Sequence, residues 1–249
     1  MPLKLYLCLL FFVKTFLGQL FYSFSMKFLL QQNWWKYASV VLLAYTIVAG
    51  LLMPVPRLPI LHETIRNLYF HVPMWFGMLL ILLMSFVYSI KYLRGFNLSN
   101  DIVAEESASV GIWFGALGLI TGMVWAKYTW GDWWSNDPKQ LASAVGMLIY
   151  LAYFVLRGSI DDQDKRAKIS AVYNIFAFCI LIPILFVVPR LTDSMHPGNG
   201  GNPGFNAYDL DSRMRAIFYP AILGWTLLGV WLVSLRTRYR LLNEKIWLN

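Results

Sequence analysis

The sequence predicts an all-α, polytopic integral membrane protein, a bundle of six transmembrane helices. Three observations predict it. Of the 249 residues, 58% are hydrophobic and only 14% charged, against about 25% charged in an ordinary soluble domain. Six long runs contain no Asp, Glu, Lys, Arg or His. The charges gather between those runs. Backbone amides in lipid have no water to bond, so a spanning segment must be a helix or part of a closed barrel. The runs are too long for barrel strands of about 9–11 residues.

In order, the runs are 37–53, 73–90, 108–125, 141–156, 169–189 and 216–235. Each is close to the roughly 17–25 residues that a spanning helix needs. Ahead of them, residues 1–25 form a separate hydrophobic extension, interrupted by Lys14 and Gln19 and without a small-residue cleavage site. That argues against a removed signal peptide. An interfacial helix, a seventh span, or sequence upstream of a start at Met26 stay open. Residues 26–249 make up the six-helix domain. After the first run, Pro54, Pro56 and Pro59 delay the next helix, and 63–70 is expected to be a short interfacial helix leading to His71. The connection 95–101 is a short polar loop, 126–140 a tryptophan loop and 158–168 a charged loop. The longest connection, 190–215, holds Pro197, Gly198, Gly200, Gly201, Pro203 and Gly204, which make it irregular and mobile.

A formal net charge of +8 invites a nucleic-acid reading, but the positions speak for a membrane. Lys27 and Lys36, Lys91 and Arg94, Arg157, Lys165, Arg166 and Lys168, and Arg236, Arg238, Arg240 and Lys245 share one face of a six-helix weave. By the positive-inside rule that face is cytoplasmic, and so are both termini. The other face carries Arg57, Arg66, Lys127, Lys139, Arg190, Arg213 and Arg215, an excess that suits an anionic ligand. Cys8 and Cys179 form no CxxC, which excludes a thiol relay. Cys179, inside a run, reads as a small buried hydrophobe.

The weave also puts three unusual features on the non-cytoplasmic face: His71 at its first loop, four of the 11 tryptophans at its second, and His196 at its third. Trp34, Trp35, Trp75 and Trp247 fit an interfacial aromatic belt. Trp125, Trp130, Trp133 and Trp134, packed together with Gly131, Asp132 and Asp137, exceed what anchoring needs. Indoles offer broad apolar faces and one N–H each, which suits a flat porphyrin. Imidazole is a common axial ligand of haem iron. Neither His71 nor His196 stands in HExxH or CxxC spacing, so zinc is not indicated. His62 has no partner motif and reads as an interfacial residue. Asp137 orients a backbone turn or pairs with Lys139.

Trp125-Ala126, Trp130-Gly131, Trp133-Trp134 and Asp137 resemble the tryptophan-rich WWD signature of the haem-handling superfamily that includes CcmC, CcmF and CcsA of cytochrome c maturation. The length, the six spans and one outer His on either side of the signature most resemble CcmC, over nearly the whole chain from about Lys27. The resemblance implies that His71 and His196 ligate the iron of haem b from opposite faces. It implies that Trp125, Trp130, Trp133 and Trp134 form the haem slot and a chaperone-docking surface, with Asp137 as the motif acid. Arg57, Arg66, Lys127 and Arg190 are candidate propionate partners. The implied partners are a CcmE-like haem chaperone, the CcmA/CcmB ABC transporter and a CcmD-like small membrane protein. The implied location is the bacterial cytoplasmic (inner) membrane, with the haem site on the periplasmic face.

Two departures stand out. Asn136 occupies the place where the family often has Trp, and Asp137-Pro138-Lys139 is closer to the CcsA branch. CcsA-like and CcmF-like proteins are usually longer and carry further histidines. A CcsA-type synthase component attaching haem to apocytochrome c is the alternative reading. A small-solute permease is a third, but it calls for polar or charged groups at mid-membrane, where the runs hold no Asp, Glu, Lys, Arg or His. No nucleophile–base pair, Walker motif or carboxylate pair occurs, so the sequence predicts a binding and transfer protein rather than a hydrolase or ATPase.

Overall fold

A computed structural model describes residues 33–57, 61–196 and 210–247. Its long elements are α1 (Trp34–Leu52), α2 (Leu68–Gly95), α3 (Leu98–Trp130), α4 (Pro138–Gly158), α5 (Gln163–Phe186) and α6 (Ser212–Trp247). Among the described residues, six helices are long and apolar enough to cross a membrane, and each contains one predicted run almost entirely. The N-terminal extension, Cys8 and the Pro/Gly segment from Pro197 to Gly204 lie outside the described residues.

The antiparallel pair α2 and α3 forms the centre. α1 and α6 pack together on one flank and α4 and α5 on the other, with α2 touching α5 and α6 while α3 touches α4 and α6. The core between them includes Met78, Ile81, Leu82, Phe114, Tyr150, Tyr153 and Leu181. Glycines let α3 approach closely, as small residues do between membrane helices. A Cβ on Gly111 would lie 2.6 Å from Leu82 Cδ2, and one on Gly115 would meet both Met78 and Met147. Exposed Val40, Val41, Leu148, Val155, Phe176 and Leu232 form the outer, lipid-compatible surface.

Caps set the helix ends and move several boundaries from where the hydrophobic pattern placed them. Asn97 accepts from Ser99 N at 2.9 Å, so α3 starts at Leu98 and Asp101 is helical rather than the end of a loop. Asp162 accepts from Lys165 N, which shortens the charged loop. Asp211 accepts from Met214 N at 2.7 Å and starts α6. In place of a separate interfacial helix over 63–70, a 3-10 turn (His62–Asn67) runs into α2, which already holds His71. A 3-10 turn followed directly by α2 leaves no break at which a second helix could end.

Three further expectations change. Cys179 is exposed on the outer side of α5 rather than buried, because helical spacing rotates it away from Ala177 and Leu181. Trp35 is fully buried and is no belt residue; Trp34 next to it is exposed, as a belt residue would be. Charged residues inside the spanning helices do occur: Asp101, Glu106 and Arg157 are buried. They were hidden because they lie in the end portions of helices that extend past the apolar runs.

Candidate functional site at the tryptophan-loop end

The site is built where α2 begins and α3 ends. His71 sits in the first turn of α2 and faces α3. Its Nδ1 lies 2.8 Å from the carbonyl of Gly118 and 3.2 Å from Thr121 Oγ1. A carbonyl only accepts, so Nδ1 carries the proton and Nε2 keeps its lone pair. Thr121 donates to Leu117 O at 2.8 Å, which leaves its oxygen able to accept from His71. α3 can come this close because of two glycines. A Cβ on Gly122 would stand 2.6 Å from His71 Cε1, and one on Gly118 would stand 2.8 Å from Trp75 Cε2. Trp75 meets the His71 ring edge-on at 6.2 Å between centroids.

His196 comes from the loop after α5, and Asp137 captures it. Asp137 is the N-cap of α4, with Pro138 at the first helical position, where its missing N–H costs nothing. Its Oδ1 accepts from Lys139 N at 2.9 Å and from His196 Nδ1 at 2.8 Å. Its Oδ2 accepts from Met195 N at 2.7 Å and Ser194 Oγ at 2.9 Å. The carboxylate thus satisfies a helix end and pins a distant loop together. Burial alone would push its carboxyl upward. The hydrogen bond and electrostatic pull of His196, then the amides of Lys139 and Met195, outweigh this and hold it well below the usual carboxylate range. With Nδ1 donating to Asp137, His196 likewise keeps the lone pair on Nε2.

The last turns of α3 supply the aromatic wall. Trp130 meets the His196 ring edge-on at 4.9 Å, Trp125 stands 6.0 Å from it, and the two indoles contact each other at 5.0 Å. α3 ends at Gly131, whose φ of +92° closes the helix in a conformation that suits glycine. The helix therefore continues through Trp130, and only 131–137 is loop. Trp133 is half exposed. Trp134 donates through Nε1 to Asn136 Oδ1 at 2.8 Å.

Among the predicted site residues, the fold brings His71, His196, Trp125, Trp130 and Asp137 to one end of α3, and the two imidazoles lie within electrostatic reach of each other. Trp133 and Trp134 sit on the loop beside them. The basic candidates are placed differently. Arg66 Nη1 binds the carbonyls of Gly50 and Met53 at the end of α1, and its Nε binds Glu63 at 2.7 Å. Lys127 binds the carbonyl of Gly131 at 2.6 Å. Arg190 caps the Phe186 carbonyl, and Arg57 is exposed in the loop after α1. Sequence reasoning missed Gly118, Thr121, Gly122 and Trp75. Glycines at 118 and 122, one helical turn apart, were the available signal.

A family model for heme exporter protein C (CcmC) matches residues 12–248. Heme exporter protein C of Paracoccus denitrificans (strain Pd 1222) is 27% identical over 74% of this chain and 76% of its own length. That of Haemophilus influenzae is 26% identical over 73% of each chain. Cytochrome c biogenesis protein CcsA of Prochlorococcus marinus (strain MIT 9515) is 39% identical, over 32% of this chain and 26% of its own. The chain belongs to the heme exporter protein C family.

Proposed function

We propose that this member of the family is a haem-holding platform of cytochrome c maturation, with His71 and His196 as the iron ligands. Family membership supports a role in haem delivery for cytochrome c maturation. The observation that carries the ligand assignment is the bond from His196 Nδ1 to the buried carboxylate of Asp137. Metal-bound histidines usually donate their second nitrogen to a carboxylate or carbonyl, which fixes tautomer and ring orientation. Both histidines follow that pattern, one with each kind of acceptor, so the residues fit a bis-imidazole site. Bound haem supplies an iron to ligate and a flat apolar face. The chain supplies two oriented imidazoles, an indole wall from Trp125 and Trp130, and the exposed indole of Trp133 as a docking surface.

In this reading the site lies on the periplasmic face of the bacterial inner membrane, with both termini cytoplasmic. Haem passes from it to a CcmE-like chaperone, with the CcmA/CcmB transporter and a CcmD-like protein completing the assembly. Arg57, exposed in the loop after α1, is the propionate partner in this reading, since Arg66, Lys127 and Arg190 already hold backbone carbonyls. The test is the absorption spectrum of the detergent-purified protein, expressed with its chaperone under haem-replete conditions, beside His71→Ala and His196→Ala. The expected result is a low-spin bis-imidazole spectrum, altered in both variants. A wild type without haem sinks the reading, and unchanged spectra in both variants remove these ligands.

A second reading, a CcsA-type synthase component, is favoured only by the 80-residue likeness to CcsA proteins. It requires capture of an apocytochrome by the purified chain, which the platform reading does not.

A further inference from the structure

We infer that the two iron ligands are unequal: His196, backed by the carboxylate of Asp137, is the ligand retained, and His71, backed by the neutral carbonyl of Gly118, is the ligand exchanged when another donor takes up the iron. This rests on the reading of both histidines as ligands.

The two rings differ in what draws on the far N–H. An imidazole becomes a stronger donor at Nε2 as the proton on Nδ1 is pulled towards its acceptor, and an ionised acceptor pulls roughly twice as hard as a neutral one. His196 bonds Asp137 Oδ1 at 2.8 Å, and the Asp137 side chain is only 1% exposed, so water does little to screen its charge. The other contacts of that carboxylate, Lys139 N, Met195 N and Ser194 Oγ, are neutral donors. They share the charge without cancelling it, and they fix its direction. His71 shares its N–H between Gly118 O at 2.8 Å and Thr121 Oγ1 at 3.2 Å, both neutral. Equal distances to unequal acceptors make His71 the weaker ligand.

Packing adds to the difference. The edge of His71 is pressed against α3 at Gly122, so its ring is tied to the central helix pair and cannot follow a departing ligand. His196 stands on a loop, seated against Trp125 and Trp130.

Carbon monoxide on the reduced, haem-loaded full chain tests this, because it displaces one axial imidazole and its C–O stretch reports the donor strength of the imidazole that remains. The expected infrared stretch of the wild-type adduct coincides with that of His71→Ala and differs from that of His196→Ala. Asp137→Asn weakens the retained donor and shifts the stretch upward in the wild-type and His71→Ala backgrounds, but not in His196→Ala. A wild-type adduct that matches His196→Ala overturns the inference, as does a stretch that Asp137→Asn leaves in place. Should His196→Ala fail to load haem, a wild-type stretch that Asp137→Asn leaves in place overturns it alone. Failure of the ligand reading itself shows differently, as a six-coordinate spectrum that neither alanine variant alters before any carbon monoxide is added.

Discussion

The two ends of the bundle are held by opposite chemistry. At the end where α3 begins, six charged side chains from three helices interlock. Arg157 of α4 bonds both oxygens of Asp101 and reaches Glu105 at 2.8 Å. Arg240 of α6 binds Glu105 and Glu106, and Arg236 binds Glu106 at 2.6 Å. At the end where α3 finishes, one buried carboxylate holds one loop, and the rings gathered around it are indoles and an imidazole. α3 joins the two. The charged end fixes how three helices sit together, and its attraction is strong because Asp101 and Arg157 are withdrawn from water. The aromatic end keeps nitrogen lone pairs and an indole surface available. One end is committed to the fold, and the other retains unspent chemistry for a ligand.

The strongest way to break this comparison is Arg157→Met. It strands the buried Asp101 without its partner, for an expected loss of about 3–5 kcal/mol, read as a lower thermal midpoint in detergent. The fraction that folds keeps the wild-type haem spectrum. If the spectrum changes with the midpoint, the two ends are not separable.

A smaller effect distinguishes the ends more sharply. Ala at Gly111 and Ala at Gly122 each place a Cβ 2.6 Å from a neighbouring side chain, Leu82 in one case and His71 in the other. Both substitutions overpack by about 1–3 kcal/mol. Only Gly122→Ala is expected to alter the absorption spectrum, because only it moves a proposed ligand, His71. Equal spectra from the two variants would remove α3 as the support of His71.

Arg236 is half exposed, so Arg236→Ala should cost at most about 1 kcal/mol, and less as salt is added. A cost that salt does not diminish would mean that this pair belongs to the buried part of the network. Trp133, 51% exposed, is the mildest case. Trp133→Ala should leave stability within about 0.5 kcal/mol and the spectrum intact, while haem transfer to the chaperone falls. A lost spectrum would place Trp133 in the wall of the site instead of on its docking surface.

Much of this molecule was legible in its sequence. The six apolar runs marked the six long helices among the described residues, because lipid imposes the same local demand on each segment whatever its neighbours do. Loop parity assigned His71, the tryptophans and His196 to one end, since helices that cross in succession alternate direction. Asp137 was expected to orient a backbone turn or to pair with Lys139, and it is the cap of α4, accepting from the Lys139 amide. Helix ends were less legible, because the caps at Asn97 and Asp162 lie outside the apolar pattern. The ion network was not legible at all. Asp101 and Arg157 are 56 positions apart, and each taken alone resembles an ordinary polar residue at a loop.

The sequence by itself determined which segments are helices, that they suit a membrane, and which end carries the aromatic and imidazole side chains, all of which follow from local composition and from alternation. Only the tertiary structure decided that Asp137 holds His196 across 59 positions, that Gly118 and Gly122 present α3 to His71, and that Arg66 and Lys127 serve helix ends. Those facts depend on the rotation and register of packed helices. Register is settled by which side chains interlock across an interface, and a linear pattern of apolar residues leaves that choice open.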